Sequence, residues 1–163
     1  MKNKYLRYAI ALGALSVAGT AHAGTATGNI AVTATVTASC AVNSAGPMAF
    51  GTINGNASAV TATSTISITC TNTTPYSYYA NTGGNYSGSQ LRMVGQTTNT
   101  AFLPYGIYTT SAATTAFPTA SGVLSGTGSG AAQTVTVYGQ IAAGITLPIP
   151  QAYADSVTFT VSY

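Results

Sequence analysis

A chain of 163 residues in which 46% of the side chains are hydrophobic and 3% are charged is long enough to bury one core of ordinary size. Its formal net charge is +3, but three of its four basic residues lie within the first seven positions, so the rest of the chain has no basic surface with which to bind nucleic acid. One acidic residue and one histidine are too few for ordinary acid–base catalysis or for a cluster of metal ligands, so the sequence predicts no enzyme, no metal and no cofactor.

The first 23 residues have the features of a secretory signal peptide. Three basic residues precede an apolar run at residues 8–18, which is too short to span a bilayer. The sequence Ala21-His22-Ala23 follows, and it has the small-x-small form that signal peptidase accepts. We therefore predict cleavage after Ala23 and a mature chain of about 140 residues that forms one domain.

The first stretch after the predicted cleavage site has the pattern of a strand. Ile30, Val32, Ala34 and Val36 fall on one face, and the intervening positions hold alanine or threonine. One side of such a strand is apolar, so the pattern predicts a segment that packs on an apolar surface.

The mature chain has two cysteines, Cys40 and Cys70. In an exported protein such a pair predicts one disulfide rather than a metal site or a redox motif. Cys70 shares one face of a predicted strand with Ile66 and Ile68. Cys40 continues the alternation of the first strand and falls on the same face as Val36. The bridge is therefore expected to join an early strand to the end of a later one, with both sulfurs toward the core.

The middle of the chain contains short strand-like stretches and almost no helical pattern. Thr, Val, Tyr, Ser and Gly dominate, and apolar residues do not recur with a period of 3.6. Short strands at this spacing favour an antiparallel β-sandwich. We predict strands at residues 48–53, 65–70, 76–80, 90–94, 102–109 and 134–142, and loops at residues 81–86 and 121–130.

Arg92 and Asp155 are the only charged side chains of the predicted mature chain. We expect each of them to lie on the solvated surface without a functional role. The tyrosines are expected to be mostly structural, because tyrosine suits a strand and its hydroxyl group tolerates the surface.

The last segment alternates strictly. Val157, Phe159, Val161 and Tyr163 lie on one face, and serine or threonine occupies each position between them. Because the sequence stops on this strand, we expect a sandwich that lacks the next strand, with an apolar groove and an unpaired backbone edge.

Several short sequences of the mature chain occur in an order that is characteristic of one family. Together with the alternating leading strand, they resemble the spore coat protein U family, which includes the major subunits of archaic (Csu-type) chaperone-usher pili. The sequences are Phe50-Gly51, SITC at residues 67–70, LPYGIYT at 103–109, VYGQI at 137–141 and YADSVTFTV at 153–161.

The resemblance implies an incomplete immunoglobulin-like antiparallel β-sandwich that is completed by a donor strand from a neighbouring subunit. Residues 24–38 would be the donor segment, with Ile30, Val32, Ala34 and Val36 facing inward, and residues 39–163 would be the pilin domain. The strand with Val157, Phe159, Val161 and Tyr163 would be the edge that pairs with a chaperone.

The resemblance also implies a function, its partners and a location. The function is that of a structural pilus subunit that supports adhesion and biofilm formation. The partners are copies of the chain or related pilins, a periplasmic chaperone and an outer-membrane usher, and the route is secretion through the periplasm to the cell surface.

Three alternatives remain open at this point. The chain is a spore- or cell-coat protein that uses the same domain without an usher, or it is a pilus-tip adhesin. In the third alternative, residues 29–37 are simply the first strand of a complete domain and pair within their own chain.

Overall fold

The computed structural model describes residues 19, 22–55 and 57–163. Most of the predicted signal peptide, residues 1–18, 20 and 21, lies outside the described residues. The chain divides into two compact units, residues 1–35 and residues 36–163. Within the described ranges, no helix is long and apolar enough to cross a membrane.

Residues 22–39 form no strand, although the sequence predicts one at residues 30–36. The side chains of Ile30 and Val32 are 88% exposed, that of Val36 is 86% exposed, and Ala34 is exposed as well. An extended segment becomes a strand only when its backbone groups pair with those of another strand. The alternating pattern alone is therefore not sufficient to make residues 30–36 a strand.

The described part of residues 36–163 is all-β and antiparallel, as predicted, and it has nine strands in two sheets. The strands are β1 (Cys40–Ala45), β2 (Val60–Cys70), β3 (Pro75–Ala80), β4 (Leu91–Gly95), β5 (Phe102–Tyr108), β6 (Leu124–Thr127), β7 (Ala132–Ile141), β8 (Tyr153–Ala154) and β9 (Phe159–Ser162). The larger sheet has the order β1-β2-β7-β5-β4-β8, and the smaller sheet has the order β6-β3-β9.

The core forms where the alternating residues of both sheets face inward. β2 and β7 pair along most of their length, and Ile68 of β2 and Ile141 of β7 are both completely buried. In β5, Leu103, Tyr105 and Ile107 are buried while the residues between them are half-exposed. The smaller sheet contributes buried residues from β3 to the same apolar cluster. The two-residue period of the sequence therefore determines which face of each sheet is buried in the core.

Residues 48–53 do not form the predicted strand. Met48 and Phe50 instead pack against the core, and they lie directly on Gly139 of β7. A Cβ atom at position 139 would collide with the Met48 sulfur and the Phe50 ring. Residues 48–53 alternate because Met48 and Phe50 pack on the face of β7, and not because the segment forms hydrogen bonds as a strand.

Three short strands, β1, β6 and β8, lie where the sequence does not predict them. β1 has no clear alternation, since five of its six residues are exposed. β6 lies within the predicted loop at residues 121–130, and its Gly126 allows the ring of Tyr76 to lie against the backbone. All three strands are edges of their sheets, where pairing on one side suffices and the pattern is weak.

Replacing a fully buried isoleucine should be much more damaging than making the same change at the surface. We expect Ile68→Ala to lower the free energy of unfolding by about 2 to 5 kcal/mol, because Ile68 is 0% exposed and the change leaves a cavity. The matched control is Ile149→Ala, at a side chain that is 52% exposed, with an expected loss below about 1 kcal/mol. Denaturant titration measures both values, and similar losses would contradict the described core.

Candidate functional site

We call residues 36–163 the body. A cleft of about 510 Å³ opens between its first and last strands, and we call it the β1/β9 cleft. β1 and the residues that follow it form one wall, and residues 153–159 form the other. The floor is apolar and comes from the larger sheet. The lining residues are Val42, Ala45, Gly46, Met48, Phe50, Ser64, Ile66, Ala80, Met93, Tyr105, Ile107, Val137, Tyr153, Ala154, Asp155, Ser156, Val157 and Phe159.

Both walls of the β1/β9 cleft include a strand edge. β1 pairs with β2 alone, and β9 pairs with β3 alone, so each is the outermost strand of its sheet. An outermost strand presents a row of backbone N–H and C=O groups to whatever lies beside it. The cleft therefore combines an apolar floor with two backbone edges that can each accept another strand.

β9 covers the middle of the predicted C-terminal strand, and Val157 precedes it. Val157 and Phe159 line the cleft. The Phe159 ring stacks on Tyr78 at a centroid distance of 5.7 Å, and Val161 lies opposite Tyr78 in the β3/β9 register. Tyr163 is 63% exposed and lies outside the strand. The first three residues thus belong to the core and the cleft wall, and Tyr163 does not.

The predicted disulfide between Cys40 and Cys70 is present. The two residues are direct partners in the β1/β2 register, with their Cα atoms 4.0 Å apart. Cys70 is completely buried and Cys40 is half-buried. The bridge therefore fastens the first residue of a mostly exposed edge strand to the core.

Asp155 lies in the wall of the β1/β9 cleft, not on the open surface as expected. It is half-buried, and its carboxylate accepts three hydrogen bonds. The Oδ1 atom accepts from the Gly84 amide at 3.0 Å and from Asn85 Nδ2 at 3.2 Å, and Oδ2 accepts from the Tyr105 hydroxyl at 2.7 Å. These bonds replace the water that a buried carboxylate loses.

Tyr105 remains a hydrogen-bond donor over the whole physiological pH range. Burial raises the pKa of its phenol well above the ordinary value, and the hydrogen bond to the Asp155 carboxylate and the charge of that carboxylate act in the same direction. The Tyr105 hydroxyl therefore stays protonated and continues to donate to Asp155.

Arg92 is also half-buried, although the sequence analysis placed it on the solvated surface. Its Nε atom donates to the Asn85 carbonyl at 3.0 Å, and its guanidinium carbon lies 4.3 Å from the centroid of the Phe102 ring. Asn85 thus contacts both charged residues, through its side chain to Asp155 and through its carbonyl to Arg92. Sequence reasoning missed this network, because nothing in the spacing of positions 85, 92, 105 and 155 indicates that they meet.

A second cleft, of about 800 Å³, lies between residues 48–54 and residues 147–153. Its floor includes Leu103 and Ile141. Its two walls are mostly loops, and the strand that reaches it is the two-residue β8, at the edge of the larger sheet, through Tyr153. Although this cleft is larger, the β1/β9 cleft is the one that lies between longer edge strands of both sheets.

Residues 26–160 match the model of the Spore Coat Protein U domain, so the chain belongs to that family, as its motifs predict. A solved structure that matches is the CsuC–CsuE chaperone–tip adhesion subunit pre-assembly complex from the archaic chaperone-usher Csu pili of Acinetobacter baumannii. The match has 25% sequence identity and a TM-score of 0.53, and it covers 79% of this chain. This chain spans 40% of the length of the matched chain. No curated protein matches it.

These comparisons confirm the family and the fold class that the sequence predicts. The antiparallel two-sheet body is consistent with the immunoglobulin-like fold of chaperone-usher subunits. In the residues that the structure describes, no three potential metal-ligating side chains lie together.

The disulfide should contribute strongly to the stability of the body. It closes a loop of 30 residues, for which chain entropy gives a stabilisation of about 3 to 4 kcal/mol. We expect the double variant Cys40→Ala/Cys70→Ala to lose this amount in a denaturant titration. Reduced wild type is the control and should match the double variant; if reduction leaves the unfolding midpoint unchanged, the expectation is wrong.

Proposed function

We propose that this protein is a structural subunit of a bacterial surface pilus, and that its β1/β9 cleft binds the leading segment of a neighbouring copy. Family membership supports the proposal, as does the similarity to a chain from a complex of chaperone-usher pili. The observation that carries the proposal is the pair of open strand edges, β1 and β9, beside an apolar floor.

Such a cleft is suited to an extended peptide. A strand placed in it can form main-chain hydrogen bonds with an open edge, while every second side chain enters the apolar floor, which is how strand addition combines affinity with register. Side chains such as Ile66, Ile107 and Val137 form the floor and accept apolar partners.

Residues 24–38 have the properties of the inserted strand. The apolar side chains of Ile30, Val32 and Val36 are almost fully exposed, and Ala34 supplies a smaller side chain on the same face. Burying three branched side chains favours binding by roughly 5 to 9 kcal/mol, before the gain from backbone hydrogen bonds and the cost of ordering the segment.

Donation of a leading segment by each copy to the next is a head-to-tail contact. Because the donating and accepting surfaces are different, the contact does not close on itself and produces a filament. Residues 30–36 carry no charged side chain, which fits a contact that is driven by the burial of apolar surface.

A cleft of this kind needs protection before assembly. Two open strand edges beside an apolar cleft are prone to aggregation, and the low charge of the chain provides little repulsion. We propose that a periplasmic chaperone covers the cleft and pairs with the β9 edge, where Phe159 and Val161 lie just after Val157, until an outer-membrane usher exchanges it for the next subunit.

The proposed route begins with cleavage after Ala23 and passes through the periplasm to the cell surface. We propose a structural role in the stalk, in support of adhesion and biofilm formation, rather than an enzymatic role or the role of a tip adhesin. Electron microscopy of the producing cells separates a pilus, which appears as thin fibres, from a coat protein, which covers the surface evenly.

The sharpest test uses two neighbouring substitutions on opposite faces of the leading segment. We expect Val32→Asp to reduce polymerisation at least about tenfold, because it places a charge against the apolar floor of the cleft. Thr33→Asp adds the same charge on the other face and should polymerise nearly as well as wild type. Polymer yield is measured by electron microscopy and by gel electrophoresis of unheated samples.

Deletion of residues 24–37 is the second arm of this test. The body should still be produced and bound by its chaperone, but it should form no polymers. Polymers from the deleted chain, or equal losses from Val32→Asp and Thr33→Asp, would show that the leading segment is not the strand that links subunits.

A further inference from the structure

We infer that Asp155 is a positioning residue that holds the wall of the β1/β9 cleft in place and thereby sets how long a bound strand stays in it. The inference rests on the proposed function and assigns a role to a side chain that lies among apolar neighbours. It is based on a network of four residues, Asn85, Arg92, Tyr105 and Asp155, which we call the Asp155 clamp.

The carboxylate of Asp155 connects two separate parts of the body. Its Oδ1 atom holds the loop that follows β3, through the amide of Gly84 and the side chain of Asn85. Its Oδ2 atom accepts a hydrogen bond from the hydroxyl group of Tyr105, a buried residue of β5. One side chain therefore fixes a loop of the smaller sheet to a strand of the larger sheet at the side of the cleft.

The loop at residues 81–85 is built to approach Asp155 closely. Gly83 has a φ of 72°, in the left-handed region that glycine adopts most easily, and a Cβ atom there would collide with the Asp155 carboxylate. Arg92 holds the same loop from the other side, by donating to the carbonyl of Asn85 at 3.0 Å.

The same loop also holds the chain three residues beyond Asp155. Asn81 Oδ1 accepts from the Thr158 amide at 2.8 Å, and the Asn81 amide donates to the Thr158 carbonyl at 2.9 Å. Val157, whose side chain lines the cleft, lies between these two fixed points. The segment that leads into the open edge of β9 is therefore fastened at both ends.

A fixed wall favours a long-lived complex. A strand that binds beside a mobile edge must order that edge when it binds, and this ordering cost weakens the complex, mainly by raising the rate of dissociation. By holding residues 155–158 before the strand arrives, the clamp removes that cost. Its effect should therefore appear in the lifetime of the contact between subunits.

The test compares fibres of the full chain that carry single substitutions. Asp155→Ala removes all three hydrogen bonds, and we expect its fibres to dissociate in denaturant about tenfold faster than wild type. Asp155→Asn keeps an oxygen for Gly84 and Asn85 and can donate its amide to the Tyr105 oxygen, so it should rescue the lifetime to within about twofold of wild type. The loss of multimers is followed over time on gels of unheated samples.

Gln151→Ala is the matched control for general destabilisation. Gln151 accepts hydrogen bonds from the amides of Thr97 and Thr98 and so also holds a turn, but it does not line the β1/β9 cleft. Thermal unfolding of each variant shows how much stability the two alanine substitutions remove. We expect Gln151→Ala to lower the melting temperature without shortening the fibre lifetime to the extent seen for Asp155→Ala.

Different failures of this experiment have different meanings. If wild type forms multimers and Asp155→Ala fibres last as long as wild type, the role of Asp155 is overturned and the proposed function stands. The role is also overturned if Gln151→Ala shortens the lifetime equally, or if Asp155→Asn behaves like Asp155→Ala. If wild type forms no multimers through its leading segment, the proposed function fails and this inference fails with it.

Discussion

The arrangement of this protein depends on two strand edges, β1 and β9, that flank one cleft with an apolar floor. Backbone groups at such edges are satisfied by water or by another strand. The body can therefore accept an extended segment that pairs with an edge and places alternating apolar side chains against the floor. The leading part of the same sequence has that pattern and exposes it.

Other features of the body fix these two edges. The Cys40–Cys70 disulfide fastens the first residue of β1 to a completely buried position of β2. On the other side of the cleft, Asp155 and Asn81 hold the segment that enters β9. Edge strands are normally the least restrained parts of a sheet, and here the disulfide and the only acidic side chain of residues 36–163 both restrain them.

Much of this architecture follows from the sequence, and the exceptions have clear causes. The two-residue period correctly predicts β2, β3, β5 and β7, because their alternate residues are buried. It predicts a strand at residues 48–53 that is absent, since alternation also arises when Met48 and Phe50 cover a strand at Gly139. The Asp155 clamp could not be predicted at all, because its members come from four separate parts of the chain and meet only through the fold.

The measurement that tests the central claim most directly is a cryo-electron microscopy structure of the assembled fibre at a resolution that shows side chains. We expect the β1/β9 cleft of each subunit to contain residues 30–36 of the adjacent subunit, with Ile30, Val32, Ala34 and Val36 pointing to the floor. A fibre in which the cleft holds the leading segment of the same chain, or in which subunits contact one another through other surfaces, would contradict the account.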